Sequence, residues 1–235
     1  MPDRADYRKT TTRGMLCCFF GLLTVMIDPG FGLGVAPYVA VAGALAVAAG
    51  CAMLSTLPVT GVYGVFMTAA AVFAGAYGAL ILALLFVPAE FAASWFPAVT
   101  KAFGALALLS LAAAAEILCR RLKWRRLARA WLLTETVVGL IYAAPAVLGC
   151  FYAYYADAFE SYRVLSALHY ELSSFEFPGM HLAGVGNGSP WLVMLFLVLL
   201  APAAILLVNL LRTYVYAASP APPRDGAEPI AWSRR

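Results

Sequence analysis

Read from its first residue, the chain alternates long apolar runs with short polar interruptions. Six runs stand out: Met15–Ile27, Val35–Leu57, Gly61–Val87, Ala98–Cys119, Leu132–Tyr155 and Trp191 to about Leu211, the last extending toward Ala218. A helix needs about 20 mostly apolar residues to cross roughly 30 Å of hydrocarbon. The first run is short, so its helix is expected to start near Thr10, with Arg13 snorkelling to the headgroups. The interruptions read as turns. Asp28-Pro29-Gly30 stops the first run, and Ser55 to Gly61 is short, uncharged and contains Pro and Gly. The pattern predicts an all-α, polytopic transmembrane bundle of about six spans. An N-terminal arm (1–12) precedes a six-span region (13–218), and a Pro-rich tail (219–235) follows it. Within the span region lie a basic inner loop (120–131) and a long outer loop (156–190).

Composition supports lipid as the solvent. Of 235 residues, 63% are hydrophobic and 12% charged, against about 45–50% and about 25% in soluble domains. That excludes an ordinary water-soluble core. The basic N-terminus followed by an apolar run resembles a signal peptide. However, the best small-residue site, Gly34-Val35-Ala36, is followed by Pro37, so an uncleaved first helix is expected.

The distribution of Lys and Arg orients the bundle. With the N-terminus inside, the inner segments carry four, none, six and four basic residues, counting Arg212 with the tail. Only Lys101 and Arg163 fall outside, which is fourteen against two of the 16 in the chain. This positive-inside bias places both termini on the cytosolic side. Aromatic residues are expected at headgroup depth: Trp95, Trp191, Phe151, Tyr152, Tyr154 and Tyr155 outside, and Trp124, Trp131, Tyr214 and Tyr216 inside. Small residues recur every four positions at Ala36, Ala40, Ala44 and Ala48, and at Ala71, Gly75 and Ala79 beside Ala70, Ala74 and Gly78. They predict a close pairing of the second and third helices.

Ionisable residues at membrane depth are the candidate chemistry. Asp28 fits the first position of a β-turn with Pro29 and Gly30 at its centre. Glu90 sits in a short outer loop, where it is solvated. Glu116 precedes Arg120 by four residues, the favourable order for a helical ion pair. Glu135 lies one turn inside the fifth helix, with no basic residue three or four positions away. It must pair with another helix, reach water or take up a proton. Asn209 is a candidate interhelical hydrogen-bond partner. The lipid-facing basic set Arg120, Arg121, Lys123, Arg125, Arg126 and Arg129 resembles an anionic-lipid or calmodulin-type segment. Topology alone accounts for it, and nucleic-acid binding is disfavoured because two spans pin it.

In the outer loop, Ala158, Tyr162, Leu165, Leu168 and Leu172 share one helical face and suggest an interfacial helix. His169, Glu171 and His181 match no metal-ligand spacing. Asn187-Gly188-Ser189 is a formal glycosylation sequon, expected to stay unmodified so close to Trp191 and beside Pro190. Five irregularly spaced cysteines give no disulfide or zinc framework. Cys17, Cys18 and Cys119 lie near the inner interface, where palmitoylation occurs, although small buried side chains are the simpler reading. No hydrolase, zincin, P-loop or dinucleotide signature occurs. No metal, cofactor or catalytic residue is implied. The expected function is therefore a non-enzymatic membrane subunit with a packing and assembly role among other membrane subunits, with Ile230 and Trp232 as docking anchors in the tail. The alternative is a small transporter or channel with Glu135 as its proton or cation site. A membrane enzyme ranks third.

Overall fold

A computed structural model describes residues 4–26, 36–59, 61–84, 86, 96–154 and 190–219. All regular structure among them is helical: α1 (Arg4–Met26), α2 (Ala36–Ser55), α3 (Val62–Leu84), α4 (Phe96–Arg121), α5 (Arg125–Val138), a π-helical turn (Gly139–Ala143), α6 (Ala144–Tyr154) and α7 (Pro190–Ala218). Five stretches are long and apolar enough to cross a membrane: Tyr38–Ser55, Val62–Ala83, Ala98–Arg121, Arg125–Phe151 and Leu200–Ala218. The first segment, counted as a span from the sequence, is not among them. Its helix begins at Arg4 and its first half is charged, so only Gly14–Met26 is apolar.

The helices form a ring around one centre. Contacts run from α1 to α2, α2 to α3, α3 to α4 and α4 to α5, and α7 joins α5 back to α1. Central α4 has 72% of its spanning stretch buried, against 22–39% for the other four. Its sequence explains this: Ala112 to Ala115 present almost no side-chain bulk, so neighbours close in from every side. Ala112, Ala114, Ala115, Leu111 and Leu118 are fully buried. A helix apolar all round belongs at such a centre. Outward positions are also apolar. Val65 on α3 and Leu140 in the π turn are 68% exposed, and Leu45, Leu133 and Val215 are exposed with them. This is the pattern of a surface whose solvent is hydrocarbon.

The closest approach lies between α1 and α2, which run antiparallel. Gly14 and Gly21 face Gly50 and Gly43, seven residues apart on each helix. A Cβ added at Gly21 would stand 2.7 Å from the Gly43 carbonyl oxygen, and one at Gly43 would stand 2.7 Å from that of Gly21. Only glycine allows two helix backbones this near. Cys18 fills the step between the glycine pairs, its thiol 3.8 Å from the Val47 carbonyl and 3.8 Å from the Cys51 thiol. The expected pairing of α2 with α3 also exists, but it uses Ala70, Ala74 and Gly78, which are buried with Ala44. Ala71 and Gly75 are only half-buried, and Ala79 is exposed.

The basic segment is mostly helical. The connection between α4 and α5 is only Leu122 to Trp124. Trp124 N–H donates to Cys119 C=O and Lys123 N–H to Arg120 C=O, at 2.9 and 3.1 Å. This doubly bonded C-terminal cap requires a left-handed residue, and Lys123 takes it with φ 60°. Further along, Pro145 cannot donate to the carbonyl four residues back. The π-helical turn Gly139–Ala143 absorbs this mismatch immediately before the proline.

One expectation fails here. Trp124 and Trp131 do not form an inner aromatic belt, because they are 3% and 0% exposed. Cys18 and Cys119 follow the simpler reading as small buried side chains, because both are fully buried. The outer-loop interfacial helix, the sequon and the aromatic residues Trp95, Tyr155 and Trp191 lie outside the residues or side chains described.

Candidate functional site

Three of the buried polar residues, Thr134, Asn209 and Thr213, lie on one seam, where α5 meets α7. Positions 130 and 134 of α5 and positions 209 and 213 of α7 are each one turn apart, so each pair lines one face. Asn209 Nδ2 donates to Thr134 Oγ1 at 2.7 Å and to the Ala130 carbonyl at 3.2 Å. Trp131 Nε1 donates to Thr213 Oγ1 at 2.9 Å. Each threonine hydroxyl, having accepted a bond from across the seam, donates to the carbonyl four residues back: Thr134 to Ala130 at 2.9 Å and Thr213 to Asn209 at 2.7 Å. Trp131, Thr134 and Thr213 are fully inaccessible and Asn209 is 3% exposed.

The direction of every bond is determined. An indole N–H can only donate, and both threonine protons end on backbone carbonyls. Asn209, Trp131 and the two threonines are not ionisable, and the Cys119 thiol of α4 is the titratable group hydrogen-bonded to them, at Thr213. The arrangement holds α5 against α7. The expectation for Asn209 as an interhelical partner holds. Trp131, Thr134 and Thr213 were missed. Their legible signal is the spacing of polar positions in two apolar segments, three residues from Trp131 to Thr134 and four from Asn209 to Thr213.

The candidate carboxylates gather elsewhere, on the face between α4 and α5. Glu116 is 6% exposed and pairs with Arg120 one turn later on the same helix. The Arg120 side chain is 64% exposed, so the pair runs from the core to the surface. Glu135, half-buried on α5, lies within electrostatic range of both. The neighbouring hydroxyl of Thr136 turns back to Leu132 C=O at 3.0 Å, as Thr134 turns to Ala130, so neither solvates the carboxylate. Glu135 thus has both an anionic neighbour, Glu116, and a cationic one, Arg120, on the adjacent helix. Arg120, Arg121, Lys123, Arg125, Arg126 and Arg129 are all exposed at the same end of the bundle. Asp28, Ile230 and Trp232 lie outside the described residues.

The fold therefore defines the chain as a helical, multi-pass membrane protein. No protein-family model, no curated protein and no solved structure matches it.

Proposed function

We propose that the chain is an integral membrane subunit whose work is packing and assembly within a larger membrane complex, with both termini on the cytosolic side. The observation that carries this reading is the closed hydrogen bonding of the α5–α7 seam. The buried polar groups there are satisfied against one another and offer nothing to a solute. Glu116 is paired with Arg120 on its own helix near the basic end of the bundle, which suits a structural role. Meanwhile the outer faces of α2 and α3 are apolar and suited to helix partners as well as to lipid. Ile230 and Trp232 are the large apolar anchors available in the tail, and aromatic anchors carry a disproportionate share of interface energy.

Three variants test the proposal in native membranes: deletion of 219–235, Trp232→Ala and Glu135→Gln. The deletion should leave the bundle inserted while lowering the size of the assembly on native gels. Trp232→Ala should reproduce much of that loss, and Glu135→Gln should not. If the deletion changes nothing while Glu135→Gln abolishes a measurable proton or cation flux, the transporter reading replaces this one.

A further inference from the structure

A groove of about 470 Å³ opens between the first turns of α1 and the last turns of α7, lined by Arg8, Lys9, Thr12, Leu16, Tyr214 and Ala218. We propose that it binds the phosphate headgroup of an anionic phospholipid.

The cationic wall is held in place. Arg8 Nε donates to the Ala217 carbonyl at 3.1 Å. That oxygen belongs to the last turn of α7, where helix carbonyls lack partners within the helix. The bond satisfies it and fixes the guanidinium plane, leaving its four other N–H donors in the fork geometry that suits phosphate oxygens. Lys9, exposed on the same turn of α1, adds a second positive charge. Among the described residues, no carboxylate lines the groove. The α7 terminus contributes about half a negative charge, which two full positive charges exceed. Thr12 is not a donor here, since its hydroxyl turns back to the carbonyls of Arg8 and Lys9, both at 3.0 Å.

The groove also selects the source of the phosphate. Leu16, two turns past Arg8 on α1, and Tyr214, one turn before Ala218 on α7, give it an apolar inner end where the charged half of α1 passes into the apolar half. Tyrosine is a residue type favoured at headgroup depth. A soluble phosphate gains nothing from that end, whereas a diacylglycerol phosphate aligns its glycerol and first methylenes along it. A zwitterionic headgroup brings its own ammonium toward two cations and is disfavoured.

Full-length protein in detergent, titrated with dioleoyl phosphatidylglycerol and observed by native mass spectrometry, tests this. One phosphatidylglycerol should be retained about tenfold more tightly than phosphatidylcholine, and excess glycerol phosphate should not displace it. Lys9→Glu, which leaves the Arg8 cap intact, should weaken retention about tenfold. The double variant Arg121→Gln/Arg125→Gln changes net charge by the same amount in the basic segment and should leave retention unchanged. Circular dichroism checks that both remain folded. Equal losses in the two variants, displacement by glycerol phosphate, or equal retention of phosphatidylcholine would each overturn the proposal.

Discussion

Replacing Gly21 by alanine places the smallest possible wedge into the seam between α1 and α2. The added Cβ would lie 2.7 Å from Gly43 O, 2.7 Å from Val47 N and 2.9 Å from Val47 Cγ2. Carbon–oxygen contacts settle at about 3.3–3.6 Å, and two of these neighbours are helix backbone that cannot rotate away. The helices must therefore part by roughly 0.6–0.9 Å. A gap of that size forfeits a quarter to a half of each contact along the seam, and overpacking of this kind costs about 1–3 kcal/mol. Alanine's better helix propensity returns up to about 1 kcal/mol, so a net loss of about 1–2 kcal/mol is expected. Gly75→Ala is the control, because nothing lies within 4 Å of its added Cβ. Gly14→Ala is intermediate, since its nearest neighbours are Leu54 Cγ and Cδ2 at 2.7 and 2.9 Å, a side chain that can move. Reversible unfolding in mixed micelles with increasing dodecyl sulfate should rank Gly21→Ala least stable, then Gly14→Ala, then Gly75→Ala. If Gly21→Ala unfolds with Gly75→Ala, the backbone approach is not what holds α1 to α2.

Asn209→Ala removes the donor to Thr134 and Ala130 and should cost about 1–2 kcal/mol in the same assay. A red shift of tryptophan emission should accompany it if the loosened seam admits water to Trp131. Lys123→Gly relieves a left-handed residue at the α4 cap. It should stabilise the bundle by about 0.5–1 kcal/mol, the steric relief less the entropy glycine adds to the unfolded chain; unchanged stability would mean that Lys123 carries no strain. A single cysteine at position 125 in a cysteine-free background should react with impermeant maleimide only from the cytosolic side, and labelling from outside would reverse the proposed topology.

Much of the bundle is legible as a pattern of hydropathy because lipid imposes it: each apolar run of sufficient length became a helix. What hydropathy cannot resolve is which face of a helix meets protein and which meets lipid, since both are apolar. Trp131 illustrates this. Its position after a basic cluster suggests headgroup depth, yet its face turns toward Thr213, and only the α5–α7 contact reveals that. The glycine seam was hidden for a different reason. Small residues at four-residue spacing are frequent in Ala-rich helices, whereas the close approach uses a seven-residue spacing, 14 and 21 against 43 and 50. That spacing keeps successive contacts on one face of two antiparallel helices. Glu116 and Arg120 were legible as a pair because the interaction lies within one helix. The approach of Glu135 to them crosses between helices and carries no sequence signal.

These contacts also explain how α1 can belong to the bundle while lacking a full apolar span. Gly14–Met26 rises only about 20 Å, short of roughly 30 Å of hydrocarbon. Hydrophobic transfer alone therefore anchors α1 less firmly than its neighbours. Two protein contacts act in its place, one at each level of the helix. The glycine pairs bring its apolar half against α2 closely enough to gain dispersion energy that lipid chains would not supply. At the charged half, Arg8 closes on the Ala217 carbonyl and ties α1 to α7. A helix joined to α2 on one side and to α7 on the other also closes the circuit of helix contacts. The glycines at 14 and 21 and the arginine at 8 thus solve one problem, holding a half-polar first helix in register with partners long enough to span.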